Sequence, residues 1–234
     1  MIPLRDTIPS STFPAVTIGL IVVNILVFVY ELSLGRELDL FIMQYGAVPL
    51  KFINAGQLAH VSLIERFLPL FTSMFLHGGW IHVLGNMLYL WIFGDNVEDR
   101  LGHGRFVLFY LLCGLAAALA QVYTNPASKV PMVGASGAVA GVLGAYLIFF
   151  PSARVLTLLP IFIFLQVIEI PAFAFLLIWF FMQFLSGAAA ITSAAHTAVG
   201  VAWWAHIGGF VSGMALGFLL PKRKRQPWMR ETIS

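Results

Sequence analysis

The sequence predicts an all-α membrane protein, a bundle of six transmembrane helices with a long interfacial first loop. Three observations point there. The 234 residues are 60% hydrophobic and 10% charged, with a mean hydropathy of +0.92, whereas soluble domains carry about 25% charged residues. Six apolar runs come near the roughly 20 residues that a bilayer-spanning helix needs. The basic residues gather in the connections and in a tail after the last run.

The runs follow in order. The first, about 14 to 33, is longer than the roughly 7 to 15 residues of a signal h-region and has no convincing small-residue cleavage site, so it is read as a retained span. The connection from about 34 to 79 holds DLFIMQYGAVPLKFI and LIERFLPLFTSMF, too mixed to span yet apolar enough to lie on the membrane surface. The second run, about 80 to 97, gives way to DNVEDRLGHGR. The third, about 105 to 123, stops at Asn125-Pro126, and the fourth, about 136 to 150, at Pro151. The fifth, about 167 to 186, is expected to end at Ser186-Gly187, and the sixth, about 202 to 220, at Pro221. A single domain over residues 1–234 follows, with a basic tail over 221–234 and no internal repeat or soluble domain.

Six spans put both termini on one side, and five of the thirteen basic residues lie within Lys222 to Arg230. That tail marks a cytoplasmic side by the positive-inside rule. Arg5, Arg100, Arg105 and Arg154 then fall inside, with Arg36, Lys51, Arg66 and Lys129 outside. The tail is an orientation signal rather than a nucleic-acid patch. The lone Cys113 supports neither an intramolecular disulfide nor a Cys-based zinc site.

Polar side chains within spans are costly and mark function by default. The fourth run opens on Ser136 in VGASGAVAG and reaches only Phe150, roughly 22 Å at 1.5 Å per residue, so it starts below the outer surface. His206 precedes Pro221 by a similar length, and His82 precedes Asp95 by roughly 20 Å. Asn86 lies one turn from His82 on the same face. Spacing alone therefore gathers Ser136, His206, His82 and Asn86 in one layer nearer the outside. Gly137, Gly141 and Gly144, with Gly209 and Gly213, would let the fourth and sixth helices approach closely.

Plainer readings exist for each residue. GxxxG spacing serves packing, a membrane serine often bonds its own carbonyls, and a lone histidine can bridge helices. The GxSxG elbow of soluble hydrolases is absent, since Ala138 stands two after Ser136. A metal site from His77, His82 and His206 is disfavoured, because His77 and His82 are five apart and that layer offers no carboxylate or thiolate. Neither metal nor cofactor is expected. Glu169 is read as an interfacial acid, His60 and His103 as solvated, His196 as ambiguous, and Trp203 and Trp204 as interface anchors.

Taken together, HGGWIHVLGN (His77–Asn86), GASG (Gly134–Gly137) and AHIGGFVSG (Ala205–Gly213) resemble the rhomboid intramembrane serine proteases. The resemblance implies that Ser136 is the nucleophile and His206 its general base, in a dyad without a carboxylate. It implies oxyanion contacts from His82, Asn86 and the Ser136 N–H, a loop shaped by Gly134, and a structural His77. It further implies single-span membrane proteins as substrates and a gate built from the fifth span and the loop Gly187–Val201; a bacterial plasma-membrane address is expected from the compactness of the sequence. Homo-oligomerisation is left open, and a non-catalytic, client-binding rhomboid-like protein is the alternative. Some members carry an aromatic four residues after the serine, stacked on the histidine. Ala140 stands there in this chain, so support for the His206 ring is expected from another span or from water.

Overall fold

A computed structural model describes residues 1–54, 62–161, 164–192 and 202–223. In chain order the elements are β1 (Ile2–Asp6), α1 (Ala15–Ser33), α2 (Leu38–Tyr45), α3 (Pro49–Asn54), α4 (Leu63–Thr72), α5 (Trp80–Leu101), α6 (His103–Thr124), α7 (Ser136–Phe149), β2 (Arg154–Ile161), β3 (Phe164–Pro171), α8 (Ala172–Thr192) and α9 (Trp203–Leu219). The fold is mostly helical. α1, α6 and α8 are long and apolar enough to cross a membrane, and α4 with α5 forms a fourth candidate bent by 80°. α7 and α9, at 14 and 17 residues, are shorter.

α7 is the centre of the bundle. Every residue from Gly137 to Tyr146 is buried, as expected of a helix apolar on all sides. It runs along α9 and also meets α5, α6 and α8. Its own Tyr146, with Tyr110, Phe93, Phe106, Phe109 and Phe210 of neighbouring helices, belongs to one core at 1% exposure or less. The outward faces of α1 and α8 carry exposed Leu26, Val29, Leu177 and Phe181, the apolar surface that lipid solvates.

The mostly helical fold agrees with the all-α membrane expectation, with one addition: β1, β2 and β3 form an antiparallel sheet, pairing Ile2 with Leu158 and Arg154 with Pro171. Residues 167–171 consequently belong to β3 rather than to the fifth helix. Pairing with Arg154–Ile161 makes this segment a strand, and the proline favours an extended Ile170, in keeping with α8 starting at Ala172. At its other end α8 continues past Gly187 to Thr192. A Cβ on Gly187 would sit 3.3 Å from that of Trp203, so this glycine serves helix contact and not a stop. Glu169 pairs with Arg154 at 3.0 Å on the sheet, both half exposed.

The end of the bundle away from Ser136 is held by two carboxylates of α5. α1 has Pro14 before it and no side-chain cap of its own. Glu98, buried, accepts the N–H groups of Val16 and Thr17 at 2.9 and 2.8 Å and the Thr17 hydroxyl at 2.7 Å. It thereby satisfies orphan donors of the first turn and places negative charge at the positive end of the helix dipole. His103 Nδ1 lies 2.5 Å from the same carboxylate, so His103 is engaged rather than merely solvated. Asp99 takes the N–H and hydroxyl groups of Ser11 and Thr12. His60 and His196 lie outside the described residues.

Replacing Glu98 by Ala would leave those α1 donors buried and unpaired. The expected loss is about 2 kcal/mol, read as a fall of roughly 4–8 °C in the melting temperature of the purified protein in detergent. Ser10→Ala, at an exposed hydroxyl bonded within its own turn, should change it by less than about 1 °C.

Candidate active site

The site begins with backbone meeting backbone. A Cβ on Gly209 would collide with the Gly137 carbonyl oxygen, one on Gly213 with the Gly141 carbonyl oxygen, and one on Gly144 with the Phe210 carbonyl oxygen. Helix axes ordinarily stand 8–10 Å apart because side chains separate them. Here the separating atoms are missing on both partners, in register along α7 and α9. Gly141 also abuts Cys113 of α6, whose Cβ would overlap an added methyl.

That approach brings two side chains together at one end of the crossing. Ser136, the first residue of α7, places Oγ 2.8 Å from Nε2 of His206, in the first turn of α9. The first helical bond of α7 runs from the Val139 N–H to the Ala135 carbonyl. The N–H groups of Ser136 to Ala138 therefore belong to the unpaired first turn, at the positive end of the dipole. A hydroxyl, an imidazole and free amide donors share one point.

The His206 ring is held by α8. Its Nδ1 lies 2.7 Å from Oε1 of Gln183. The Trp179 ring, one turn earlier on α8, tilts over the imidazole at 6.0 Å between centroids, and Trp203 meets it edge-on at 6.1 Å. Support for the ring thus comes from another span, as the absence of an aromatic at Ala140 required. Trp203 is a packing partner of His206 besides any interfacial role. Gln183 escaped the sequence reading although a signal existed: it is the one amide side chain in the fifth run, at i+4 from Trp179, and intramembrane polar residues are functional by default.

His82 extends from α5 into the same region, with Asn86 one turn further along that helix. Gly134 has φ +125°, and a Cβ there would lie 2.6 Å from His82 Nε2 and 3.6 Å from Ser136 Oγ. Only glycine fits, both for its backbone and for the space between the two side chains. The Gly134 N–H is fixed by the Ser73 carbonyl at 2.8 Å. The Gly78 N–H donates to His82 Nδ1 at 3.4 Å, which leaves the proton of a neutral ring on Nε2, the nitrogen facing Gly134. Asn86 is buried, and its Nδ2 finds no acceptor among the described residues. A buried, unpaired donor is costly and calls for a reason. His77 stands behind this group: its ring meets His82 at 5.2 Å, nearly edge-on, and its N–H donates to the buried Glu31 carboxylate.

A family model, the Rhomboid domain, matches residues 65–223, which is more than half of the chain. The chain belongs to the rhomboid family. Among relatives, RHOMBOID-like protein 1 of Arabidopsis thaliana is 37% identical over 150 residues, covering 64% of this chain and 33% of that protein. Rhomboid protease GluP of Bacillus subtilis is 34% identical over 135 residues, 57% of this chain and 24% of its own. Rhomboid protein 1, mitochondrial, of Saccharomyces cerevisiae is 27% identical over 183 residues, 74% and 47% respectively. The chain spans about a quarter to a half of the length of these relatives. Family membership and the apolar helices make this rhomboid an integral membrane protein.

The packing of this rhomboid makes a contrast measurable by thermal unfolding in detergent. Gly209→Ala and Gly213→Ala should each destabilise by about 1–3 kcal/mol through overpacking against a carbonyl that cannot move aside. Gly19→Ala, in α1 with nothing within 4 Å of the added methyl, should be neutral or gain up to about 1 kcal/mol from helix propensity.

Proposed function

We propose that the protein is an intramembrane serine protease that cuts transmembrane segments of membrane-protein substrates with a Ser136–His206 dyad. The observation that carries this reading is the 2.8 Å contact between Ser136 Oγ and His206 Nε2. Both groups stand at helix starts that are drawn together by glycines.

The chemistry follows from the atoms. His206 Nε2 accepts the Ser136 proton as Oγ attacks the scissile carbonyl, and His206⁺ then returns it to the leaving amine. The developing oxyanion takes hydrogen bonds from the Ser136 N–H, from His82 Nε2–H and from Asn86 Nδ2–H, a donor with no acceptor among the described residues. Water, activated by the same imidazole, releases the acyl group. Gly134 keeps the loop clear of His82, while Gly137, Gly209 and Gly213 hold the nucleophile against its base.

Six spans are read as α1, α5, α6, α7, α8 and α9, with α2, α3 and α4 lying at the outer interface. In α4 the exposed Leu63, Ile64 and Phe67 sit behind a capping box of Ser62 and Glu65, a form suited to resting on a membrane surface. The orientation places Ser136 nearer the outside and both termini in the cytoplasm of a bacterium, with the plasma membrane as address. In support, Arg100, Arg105, Lys222 and Arg223 meet at the opposite end, where Arg100 bonds the Arg223 carbonyl and Arg105 that of Pro221.

In proteoliposomes with a single-span substrate, the wild-type chain should cleave, while Ser136→Ala and His206→Ala should lose activity with melting temperatures retained. His82→Ala and Asn86→Ala should lower kcat by roughly 10²–10³-fold. Cleavage by the Ser136→Ala protein sinks the assignment. Binding of substrates with no cleavage by wild type points instead to a client-binding rhomboid-like protein.

A further inference from the structure

We propose that Gln183 is a positioning residue for the dyad: from α8 it selects the imidazole tautomer of His206 that can act as a base toward Ser136. The proposal rests on the reading of Ser136 and His206 as nucleophile and base.

The geometry is a chain of three side chains from three helices. Gln183 Oε1 on α8 is 2.7 Å from His206 Nδ1, and His206 Nε2 on α9 is 2.8 Å from Ser136 Oγ on α7. An amide oxygen can only accept. With Oε1 at Nδ1, the ring proton must sit on Nδ1, and Nε2 keeps the lone pair that a serine proton needs. The opposite amide orientation would present NH₂ to Nδ1 and hold the proton on Nε2, where the ring could only donate to Ser136. Two amide orientations therefore correspond to a competent and an incompetent dyad.

The oxygen does a second task during reaction. When Nε2 takes the serine proton, Nδ1–H remains bonded to Oε1, so the imidazolium is formed against a fixed dipole without any rearrangement. A carboxylate at this place would be a net charge within the bundle, expensive to desolvate. An amide supplies orientation without that cost. Trp179, one turn before Gln183, covers the ring and limits its rotation. Because α8 bears both groups, the ring is oriented only while α8 rests against α9, so the seating of one helix sets the readiness of a base on another.

The test uses the purified 234-residue chain with Gln183→Met, Gln183→Glu and Gln183→Asn. Met keeps the length without the oxygen, Glu keeps an oxygen at the same reach, and Asn keeps the amide but falls one methylene short. Gln183→Met and Gln183→Asn should lose kcat, and the rate of Ser136 labelling by a fluorophosphonate, by roughly 10- to 100-fold, below the roughly 10⁴-fold that a fully wrong tautomer costs a catalytic histidine. KM should stay within about twofold. Gln183→Glu, whose carboxylate oxygen still accepts from Nδ1–H at a cost in stability, should keep a higher rate than Gln183→Met and Gln183→Asn. In ¹⁵N spectra of labelled histidine, the His206 signals should show Nδ1–H in wild type and a shift toward Nε2–H in the Met variant.

Wild-type kcat and labelling in Gln183→Met overturn the proposal, and so does an unchanged Nδ1–H tautomer. Should the Met variant fail to fold, equal rates for the Asn and Glu variants overturn it as well. A wild-type chain that neither cleaves nor labels contradicts the protease reading instead, and the tautomer spectra then decide the role of Gln183 alone.

Discussion

The structure depends on the direct contact of two helix backbones. α7 and α9 carry glycines in register, and at Gly137–Gly209 and Gly141–Gly213 no side-chain atom separates them. Lipid tails are as apolar as leucine, so membrane helices gain nothing by hiding ordinary apolar side chains from solvent, and close packing between small residues is the attraction left. The same closeness has a chemical result. A serine at the start of one helix and a histidine in the first turn of the other can touch only when their axes are this near, so the packing and the Ser136–His206 contact share one set of glycines.

The two ends of the bundle divide the work. Around Glu98 and Asp99 nearly every donor of the α1 entry segment finds an oxygen. Around Ser136 the pattern is reversed: the first-turn N–H groups of α7 lie before the first helical bond, and Nδ2 of Asn86 finds no acceptor among the described residues. Unpaired buried donors destabilise. The satisfied end and the aromatic core about Tyr146 and Phe93 offset that deficit. A site of this kind needs rigid supports, and α7, buried on all sides, is the most enclosed helix of the bundle.

Much of this could be read from residues alone. The helices α1, α5, α6, α7 and α9 lie within a few residues of the apolar runs, because hydropathy and length decide spans and little else competes. Counting residues to helix ends at 1.5 Å each grouped Ser136, His206, His82 and Asn86 in one expected layer; glycine spacing allowed α7 and α9 to approach, while the pairing of Ser136 with His206 was implied by the family resemblance. The sheet was missed because Phe164–Pro171 is as apolar as a span and its strand character depends on pairing with Arg154–Ile161, a tertiary fact. Gln183 was missed because rotation about the α8 axis, which aims it at His206, is fixed by neighbours and not by its own run. Glu98 and Asp99 were read as part of a charged connection, since their partners lie more than 80 residues away.

The central claim is that the approach of α7 and α9 makes Ser136 a nucleophile by giving it His206. Its most direct measurement is the site of covalent modification after exposure to a fluorophosphonate, mapped by peptide mass spectrometry on the wild-type and His206→Ala proteins. The account predicts the adduct on Ser136 in wild type and its loss when His206 is removed. An adduct on another residue, or Ser136 modified equally without His206, would contradict it.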